Sequence, residues 1–281
     1  MKKLCLVMLG LFLLLVAISA VIALGERAPI GEKVALVRVE GPIMDSRQAI
    51  EDIKDYTKNS SVKAIVLRVD SPGGAVAPSQ EIYEEVKKAT AKKKVVVSMG
   101  AVAASGGYYI AAPATKVFAN PGTLTGSIGV IMEIPNIEGL MDKIGVKTEV
   151  IKSGRHKDLA SMFRKMKDED REILQSVMDD VHEQFIAAVA EGRRMPVEKV
   201  RAIADGRVFT GRQAKELGLV DELGNIEDAI KAAAELAGIE GEPDVITRKD
   251  KFSFFDLLRG DISEQLKEAI PSLKLKYMLV P

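Results

Sequence analysis

The chain has 281 residues, 47% of them hydrophobic and 28% charged, and its 40 basic and 40 acidic side chains balance. This composition excludes a disordered chain, which would combine low hydrophobicity with high net charge. The neutral balance argues against a nucleic-acid-binding protein, because phosphate contacts need concentrated Lys and Arg. A single cysteine, Cys5, and two histidines exclude an intramolecular disulfide and a cluster of Cys or His metal ligands.

The N-terminus predicts a membrane anchor. Leu4–Leu24 contains no charged side chain and follows Lys2 and Lys3. In a helix, a run of this length spans about 30 Å, the thickness of the hydrocarbon core of a bilayer. A cleaved signal has a shorter apolar stretch ending at an A-x-A-like site. Here the apolar run continues past the best such candidate, Ala17-Ile18-Ser19, so an uncleaved anchor is favoured and a cleaved signal is the alternative.

The positive-inside tendency orients this anchor. Lys2 and Lys3 should stay in the cytoplasm, which places the chain from Gly25 onward outside it. We therefore expect a single-pass protein of the plasma membrane with an extracytoplasmic body, whose formal net charge without the two lysines is −2. The predicted division is an anchor at residues 1–25, a linker at 26–33, a folded domain at 34–240 and a C-terminal extension at 241–281.

The folded domain is predicted to be α/β. Continuous Val/Ile-rich runs that alternate with helices are typical of a parallel sheet buried on both faces. The predicted strands are Val34–Val39, Ala64–Val69, Val95–Ser98, Val117–Ala119, Ile128–Met132 and Lys147–Ile151. The predicted helices are Pro78–Lys88, Gly106–Ala112, Asp168–Glu191, Val197–Ala204, Gly211–Glu216 and Asn225–Ala237.

A glycine pair follows the second predicted strand, in the sequence Asp70-Ser71-Pro72-Gly73-Gly74. Glycine lets a backbone N–H approach a ligand without a Cβ in the way, and two such N–H groups near a carbonyl form an oxyanion hole. A plain tight turn at the end of a strand has the same composition. The residues themselves leave both interpretations open.

The third predicted strand runs into a predicted loop of small residues and then into Ser105-Gly106-Gly107. A serine where a strand meets a helix can present its hydroxyl as a nucleophile, with the Gly106 N–H facing the same oxygen. This arrangement is similar to a nucleophile elbow, although the G-x-S-x-G pattern is absent. A serine that only caps the helix is the alternative.

A serine nucleophile needs a base, and no histidine occurs in the 50 residues after Ser105. His182 falls beside acidic positions of the long predicted helix, so we expect it to be solvated. His156 is one candidate, and Lys157 beside it offers a serine-lysine pair, a known variant of the catalytic triad.

A lysine acts as a base only where desolvation or neighbouring cations lower its pKa. Around Lys157, the cations Lys152, Arg155 and His156 would favour this change and Asp158 would oppose it. Spacing alone therefore does not select Lys157.

Taken in order, these segments resemble the signal peptide peptidase A family, the S49-type serine peptidases also called protease IV, in the short single-module form. The resemblance covers roughly Val34 to Gly238. It rests on Asp-Ser-Pro-Gly-Gly at 70–74, Ala-Ala-Ser-Gly-Gly-Tyr-Tyr at 103–109, Leu-Thr-Gly-Ser-Ile-Gly-Val at 124–130, Lys-Ser-Gly-Arg-His-Lys-Asp at 152–158 and Asp-Gly-Arg-Val-Phe-Thr-Gly-Arg-Gln-Ala at 205–214. One string would be weak, whereas five in the family's order are specific.

The resemblance implies a Clp/crotonase-like α/β fold of repeated ββα units with helical additions, behind the N-terminal transmembrane helix. It implies a serine endopeptidase that needs no metal and no cofactor. The site residues that it implies are Ser105 as nucleophile, Lys157 as general base, Ser127 as the hydroxyl that orients the lysine, and Gly73 or Gly74 together with Gly106 as the oxyanion hole.

The resemblance also implies partners. The substrates would be hydrophobic peptides derived from the membrane, including signal peptides left after secretion. The chain would contact the bilayer through residues 4–24 and form a ring-shaped homo-oligomer, in which the serine of one protomer meets the lysine of its neighbour. No nucleic-acid partner is expected.

Three rival functions remain open at this point. A crotonase-type acyl-CoA enzyme would share the fold and the oxyanion glycines but would not need Ser105 with Lys157. A non-catalytic membrane scaffold would keep the anchor and the oligomer. A related serine peptidase, which trims stomatin-like membrane proteins, would use the same dyad.

The C-terminal end, Tyr277-Met278-Leu279-Val280, is apolar like the expected substrate. Two interpretations are open for it. The end could dock in a peptide groove of its own or a neighbouring protomer, or it could pack on the body as the end of a strand or helix. The second interpretation is the favoured one.

Overall fold

A mostly parallel eight-stranded sheet is the centre of the computed structural model, which describes residues 32–248 and 276–278. The strands are β1 (Lys33–Glu40), β2 (Val62–Ser71), β3 (Gly73–Ala75), β4 (Lys94–Ala104), β5 (Lys116–Ala119), β6 (Leu124–Gly126), β7 (Val208–Thr210), β8 (Glu222–Leu223), β9 (Asp244–Thr247) and β10 (Lys276–Met278). The helices are α1 (Arg47–Lys58), α2 (Val76–Thr90), α3 (Gly106–Ala111), α4 (Glu138–Lys143), α5 (Asp168–Arg193), α6 (Val197–Arg201), α7 (Gly211–Glu216) and α8 (Ile226–Ala237).

The strand order is β7-β6-β4-β2-β1-β9, and β5 extends the sheet from β4 to β8. All of these pairs are parallel except β6 with β7. Strand β4 pairs with β5 through Val96–Ser98 and with β6 through Val102–Ala104. The C-terminal ends of β2, β4 and β6 therefore lie at the same edge of the sheet. A separate antiparallel pair joins β10 to β3.

Both faces of the sheet are buried, as the Val/Ile-rich runs predict. Val34 and Leu36 of β1 pack with α8, whereas Ala35 and Val37 belong to the larger core on the opposite face. This alternation follows from the two-residue period of a strand. The predicted α/β class is confirmed.

Two predicted strands are wrong. Residues 128–132 are not a strand, because the pairing with the end of β4 is made by the preceding residues, Leu124–Gly126. Residues 147–151 are also irregular, and Ile151 is fully exposed. An apolar β-branched run forms a strand only where a partner strand is available, and the sheet offers none to this segment.

The third predicted strand is longer than expected. The small residues after Ser98, predicted to be a loop, continue β4 to Ala104. Small side chains are needed there because β2 and β4 approach closely: a Cβ on Gly100 would lie 2.5 Å from Asp70 Cγ. This extension carries Ser105 to the edge of the sheet where β2 and β6 end.

The predicted helices are present with small shifts of their ends, and α1 and α4 are additional helices. The long helix α5 packs on the core through Phe185 and Val189, which are fully buried. Nearer its N-terminus, Leu174 and Met178 line a cavity instead.

The predicted anchor, Leu4–Leu24, lies outside the described residues. Within residues 32–248 and 276–278, no helix has the length and apolar character of a membrane span. The anchor, its orientation and the plasma-membrane location stay predictions.

Candidate active site

Ser105 lies in a sharp turn between β4 and α3. Its backbone has φ 53° and ψ −118°, a region that residues other than glycine rarely adopt, and the residue is 1% exposed. A strained serine at a strand-to-helix junction is the geometry of a nucleophile elbow. Since its side chain makes no capping hydrogen bond to α3, the N-cap alternative does not account for this serine.

The glycine turn after β2 meets this junction. Ser71 pairs with Ala103 across β2 and β4, and a Cβ on Gly107 would lie only 2.7 Å from the Ser71 carbonyl oxygen. Only glycine lets α3 approach the end of β2 so closely. The two glycine-rich segments that the sequence singles out are therefore neighbours in space.

The two glycines of β3 differ in their surroundings. The Gly73 N–H donates to Ser71 Oγ at 3.1 Å, and its carbonyl accepts from Ile43 N at 2.9 Å. The Ala75 N–H donates to the Ile43 carbonyl at 2.8 Å. Because backbone groups alternate along a strand, the N–H and C=O of Gly74 face the opposite edge, where β10 pairs with Tyr277 opposite Gly74.

Ser127 lies beside Ser105, at the end of β6. The Ser105 N–H donates to the Gly126 carbonyl at 2.8 Å, which brings the next residue, Ser127, to the same edge of the sheet. Ser127 has φ 50° and is 7% exposed. Its N–H donates to the Arg207 carbonyl at 2.9 Å. The string at 205–214 thus supports Ser127 through its backbone, a contact that the sequence did not predict.

Lys157 lies in a turn, where its N–H donates to the Gly154 carbonyl at 3.1 Å. It lines a cavity of about 710 Å³ whose wall includes Ala75 and Val76, directly after the glycine pair. The other lining residues are Ala77, Pro78, Met132, His156, Leu159, Ala160, Ile173, Leu174 and Val177. Within the described part of one chain, no hydrogen bond joins the Lys157 amine to the hydroxyl of Ser105 or Ser127.

The charged neighbours of Lys157 are engaged with one another. Lys152 forms an ion pair with Asp158, and Arg155 donates to Glu169 at 2.7 Å. Hydrogen bonds from Arg164, which has the larger effect, and from Lys152 hold the pKa of the Asp158 carboxyl well below its usual range. Asp158 was predicted to oppose a lowered pKa of Lys157, but its partner Arg164, six positions further along the chain, was not predicted.

His182 is half-buried, and is therefore less solvated than expected. Its Nε2 is buried and has no hydrogen-bond partner among the described residues. It lines a second cavity of about 630 Å³ together with Ser127, Asp179 and Asp205. The acidic neighbours of His182 in the sequence suggested a solvated face, but this part of α5 lines a cavity with the segment that follows Ser127.

Comparisons with known proteins assign the chain to one family. Residues 87–240 match the model of peptidase family S49, and residues 39–125 match that of Clp protease. A putative protease of Synechocystis is 48% identical over 74% of this chain and 76% of its own length. Protease 4 of Salmonella typhi is 37% identical over 88% of this chain, which covers 42% of that protein. A putative signal peptide peptidase SppA of Enterococcus faecium is 36% identical over 73% of this chain and 64% of its own length.

The two matched models overlap in the segment that contains Ser105, and the α/β sheet of the structure fits the Clp-like fold that the second model represents. The match to the S49 model extends into the helical half of the chain. The chain therefore belongs to peptidase family S49 and is a serine peptidase of the signal peptide peptidase A type.

Proposed function

We propose that this protein is a membrane-anchored endopeptidase with a Ser-Lys dyad, in which Ser105 is the nucleophile and Lys157 the general base. The observation that carries the proposal is the strained turn of Ser105, held between the end of β4 and the first residue of α3. Such strain is maintained at the expense of stability and is typical of functional sites. The peptides cleaved would be hydrophobic, including remnant signal peptides.

The proposed reaction has two stages. Neutral Lys157 accepts the proton of the Ser105 hydroxyl, whose oxygen attacks the peptide carbonyl and forms a tetrahedral oxyanion. The lysine then gives this proton to the leaving amine, and an acyl-enzyme remains. Lys157 then takes a proton from a water molecule, which attacks the acyl-enzyme, and returns this proton to Ser105 Oγ as the acid is released. Because the lysine must be neutral, activity rises with pH.

We assign the oxyanion contact to the amides of Gly73 and Gly106. The Gly106 N–H is at the first position of α3, where an amide has no partner within the helix. The Gly73 N–H already donates to Ser71 Oγ, so an oxyanion would replace or share that hydrogen bond. Gly74 faces the edge occupied by β10, and its role would be to pair with the backbone of an extended peptide.

The ring-shaped oligomer and its shared dyad belong to this proposal. Exposed apolar side chains support it, because they cluster on α4 and on the irregular segment that follows: Leu140, Ile144, Val146, Val150 and Ile151. Burial of such a patch against a second copy of the chain would remove apolar surface from water. Ser105 would then meet the lysine of the neighbouring protomer.

The cavity of Lys157 supports the proposed preference for hydrophobic peptides, since Pro78, Ile173 and Val177 are among the apolar residues of its wall. The predicted anchor at residues 4–24 would hold the site at the membrane surface, where apolar peptides are released. Trimming of stomatin-like membrane proteins is the alternative with the same chemistry.

Profiling of cleavage on a peptide library tests the proposed substrate class. We expect the purified full chain in detergent to cut peptides with apolar residues at the scissile bond at least about 10-fold faster than charged ones, because an apolar pocket discriminates by 1–3 kcal/mol for each group buried. The Ser105→Ala chain is the matched control. Equal cleavage of both peptide classes would refute the preference, and one narrow motif would favour the stomatin-trimming alternative.

The C-terminal segment occupies the edge of β3 that Gly74 faces. Strand β10 pairs antiparallel with β3, with Tyr277 opposite Gly74 and Met278 opposite Gly73. Leu279 and Val280 lie outside the described residues. A strand added to this edge is the way in which an extended peptide would bind. We therefore propose that residues 276–278 compete with substrate for β3.

Deletion of residues 270–281 is expected to lower KM for an added hydrophobic peptide by about 10-fold, because a tethered competitor acts at millimolar effective concentration. Steady-state kinetics of the full and shortened chains would measure this change. Tyr277→Pro should have the same effect, since proline removes the N–H that faces β3. An unchanged KM in both variants would rule out competition by the tail.

A further inference from the structure

Arg164 is the centre of an ion-pair cluster that joins the turn of Lys157 to α5. Its Nε donates to Asp158 Oδ2 at 3.0 Å, and its Nη2 donates to the Asp158 carbonyl at 2.9 Å. Its Nη1 donates to Asp170 Oδ2 at 2.6 Å. One guanidinium therefore holds both the side chain and the backbone of the residue that follows Lys157.

Asp170 is the fixed end of this connection. It lies in the first turn of α5 and is 3% exposed. Besides Arg164, its Oδ2 accepts the Lys167 N–H at 3.2 Å. A buried carboxylate with these partners strongly resists the loss of either one, because the remaining charge would be uncompensated. The turn of Lys157 is thus tied to a long helix that packs on the core.

The same guanidinium compensates the acid nearest to Lys157 in the chain. Lys152 pairs with Asp158 Oδ1 and Arg164 with Asp158 Oδ2. Both cations hold the pKa of Asp158 well below its usual range, with Arg164 the stronger influence. An uncompensated carboxylate at this position would favour the protonated form of a neighbouring lysine.

The other charged groups described around the turn do not pair with Asp158. Arg155 and His156 both face Glu169 at the start of α5. The other elements that line the Lys157 cavity contribute uncharged side chains: Ala75 from β3, Val76, Ala77 and Pro78 from α2, Met132, and Ile173, Leu174 and Val177 from α5. Asp158 and its two partners are therefore the charges whose balance is set by Arg164.

We propose that Arg164 is a positioning residue for the base Lys157, which it serves by fixing the turn to α5 and by compensating Asp158. The inference rests on the proposed function, because it takes Lys157 as the base. Without the guanidinium, the turn loses its contact with Asp170 and Asp158 keeps only Lys152. The position of the Lys157 turn and the compensation of the Asp158 charge then change together.

The test compares Arg164→Gln with Asp158→Asn in the full chain, with kcat, KM and the pH dependence of kcat/KM measured on a hydrophobic peptide. Arg164→Gln should lower kcat by about 100-fold with a smaller change in KM, since a displacement of about 1 Å can cost this much. Its pH profile should also move to higher pH, because the freed carboxylate stabilises the protonated lysine. Asp158→Asn should shift the profile to lower pH, because Lys152 and Arg164 are then uncompensated.

Two further variants complete the design. Arg164→Lys keeps the charge and should recover part of kcat with a pH profile near that of the wild type. Arg201→Gln removes an exposed ion pair with Glu183 of α5 and should change neither kcat nor the pH profile. If Arg164→Gln does not fold, an unshifted profile in Asp158→Asn still overturns the proposal.

The outcomes separate this inference from the proposed function. Full activity in Lys157→Ala would refute the dyad itself. An inactive Lys157→Ala, combined with wild-type kcat and pH profile in Arg164→Gln, would overturn only the role of Arg164. Shifts of the same sign in Arg164→Gln and Asp158→Asn would also overturn it, because loss of packing alone does not give opposite signs.

Discussion

Ser105→Ala and Lys157→Ala are each expected to lower kcat for a hydrophobic peptide by about 10⁴-fold or more, as loss of a nucleophile or its base does in other serine peptidases. The reason is that the two groups act as one unit, so that neither retains much activity alone. Hydrolysis of a fluorogenic peptide by the purified full chain measures the loss. A double variant should be little worse than either single one.

Controls for this experiment come from the same turn. Ser161→Ala and Lys165→Ala remove a hydroxyl and an amine close to Lys157 in the chain and should keep most of the activity. Circular dichroism should show that all four variants fold. Turnover at the wild-type rate in Lys157→Ala would eliminate the dyad, and turnover in Ser105→Ala would favour a non-serine mechanism.

Co-expression of the two inactive chains, Ser105→Ala and Lys157→Ala, is expected to restore about a quarter of wild-type activity if the dyad is shared between protomers of a ring. Each site then takes its serine from one chain and its lysine from the next, and random assembly makes both intact in about one site of four. This rise in activity, from almost none to about a quarter of the wild-type rate, is measured with the same fluorogenic peptide.

The matched control pairs Ser105→Ala with the double variant Ser105→Ala/Lys157→Ala, which contains no intact serine and should stay inactive. If the mixture of the two single variants also stays inactive while mixed oligomers form, the dyad lies within one chain. That result would refute the shared site and leave the Ser-Lys chemistry standing.

The junction of Ser105 could be predicted because its determinants are local. An apolar β-branched strand, a run of small residues and a serine before two glycines are adjacent in the chain. The structure places the apolar and small residues in β4, Ser105 in the turn and the two glycines at the start of α3. The same holds for the helices, whose apolar periodicity and end residues are short-range features. The strand predicted at 128–132 failed because pairing depends on a distant neighbour.

The charges around Lys157 show the opposite case. The sequence places Lys152, Arg155 and Asp158 near it, but it does not show that Asp158 is held by Arg164 or that Arg155 faces Glu169. Side-chain partners depend on how the turn folds against α5. The same limit applied to His182, which lines a cavity together with residues more than 40 positions away in the chain.

The sequence by itself determined the α/β class through local periodicity, and it determined the family resemblance through the order of five motif strings. That resemblance implies Ser105 as the candidate nucleophile and Lys157 as the candidate base. Only the tertiary structure decided that the ends of β2, β4 and β6 bring Gly73, Ser105 and Ser127 to one edge of the sheet. It also decided that β10 pairs with β3 and that Arg164 links the turn of Lys157 to α5. The physical reason is that these contacts join residues distant in the chain, and their geometry is set by packing of the whole domain.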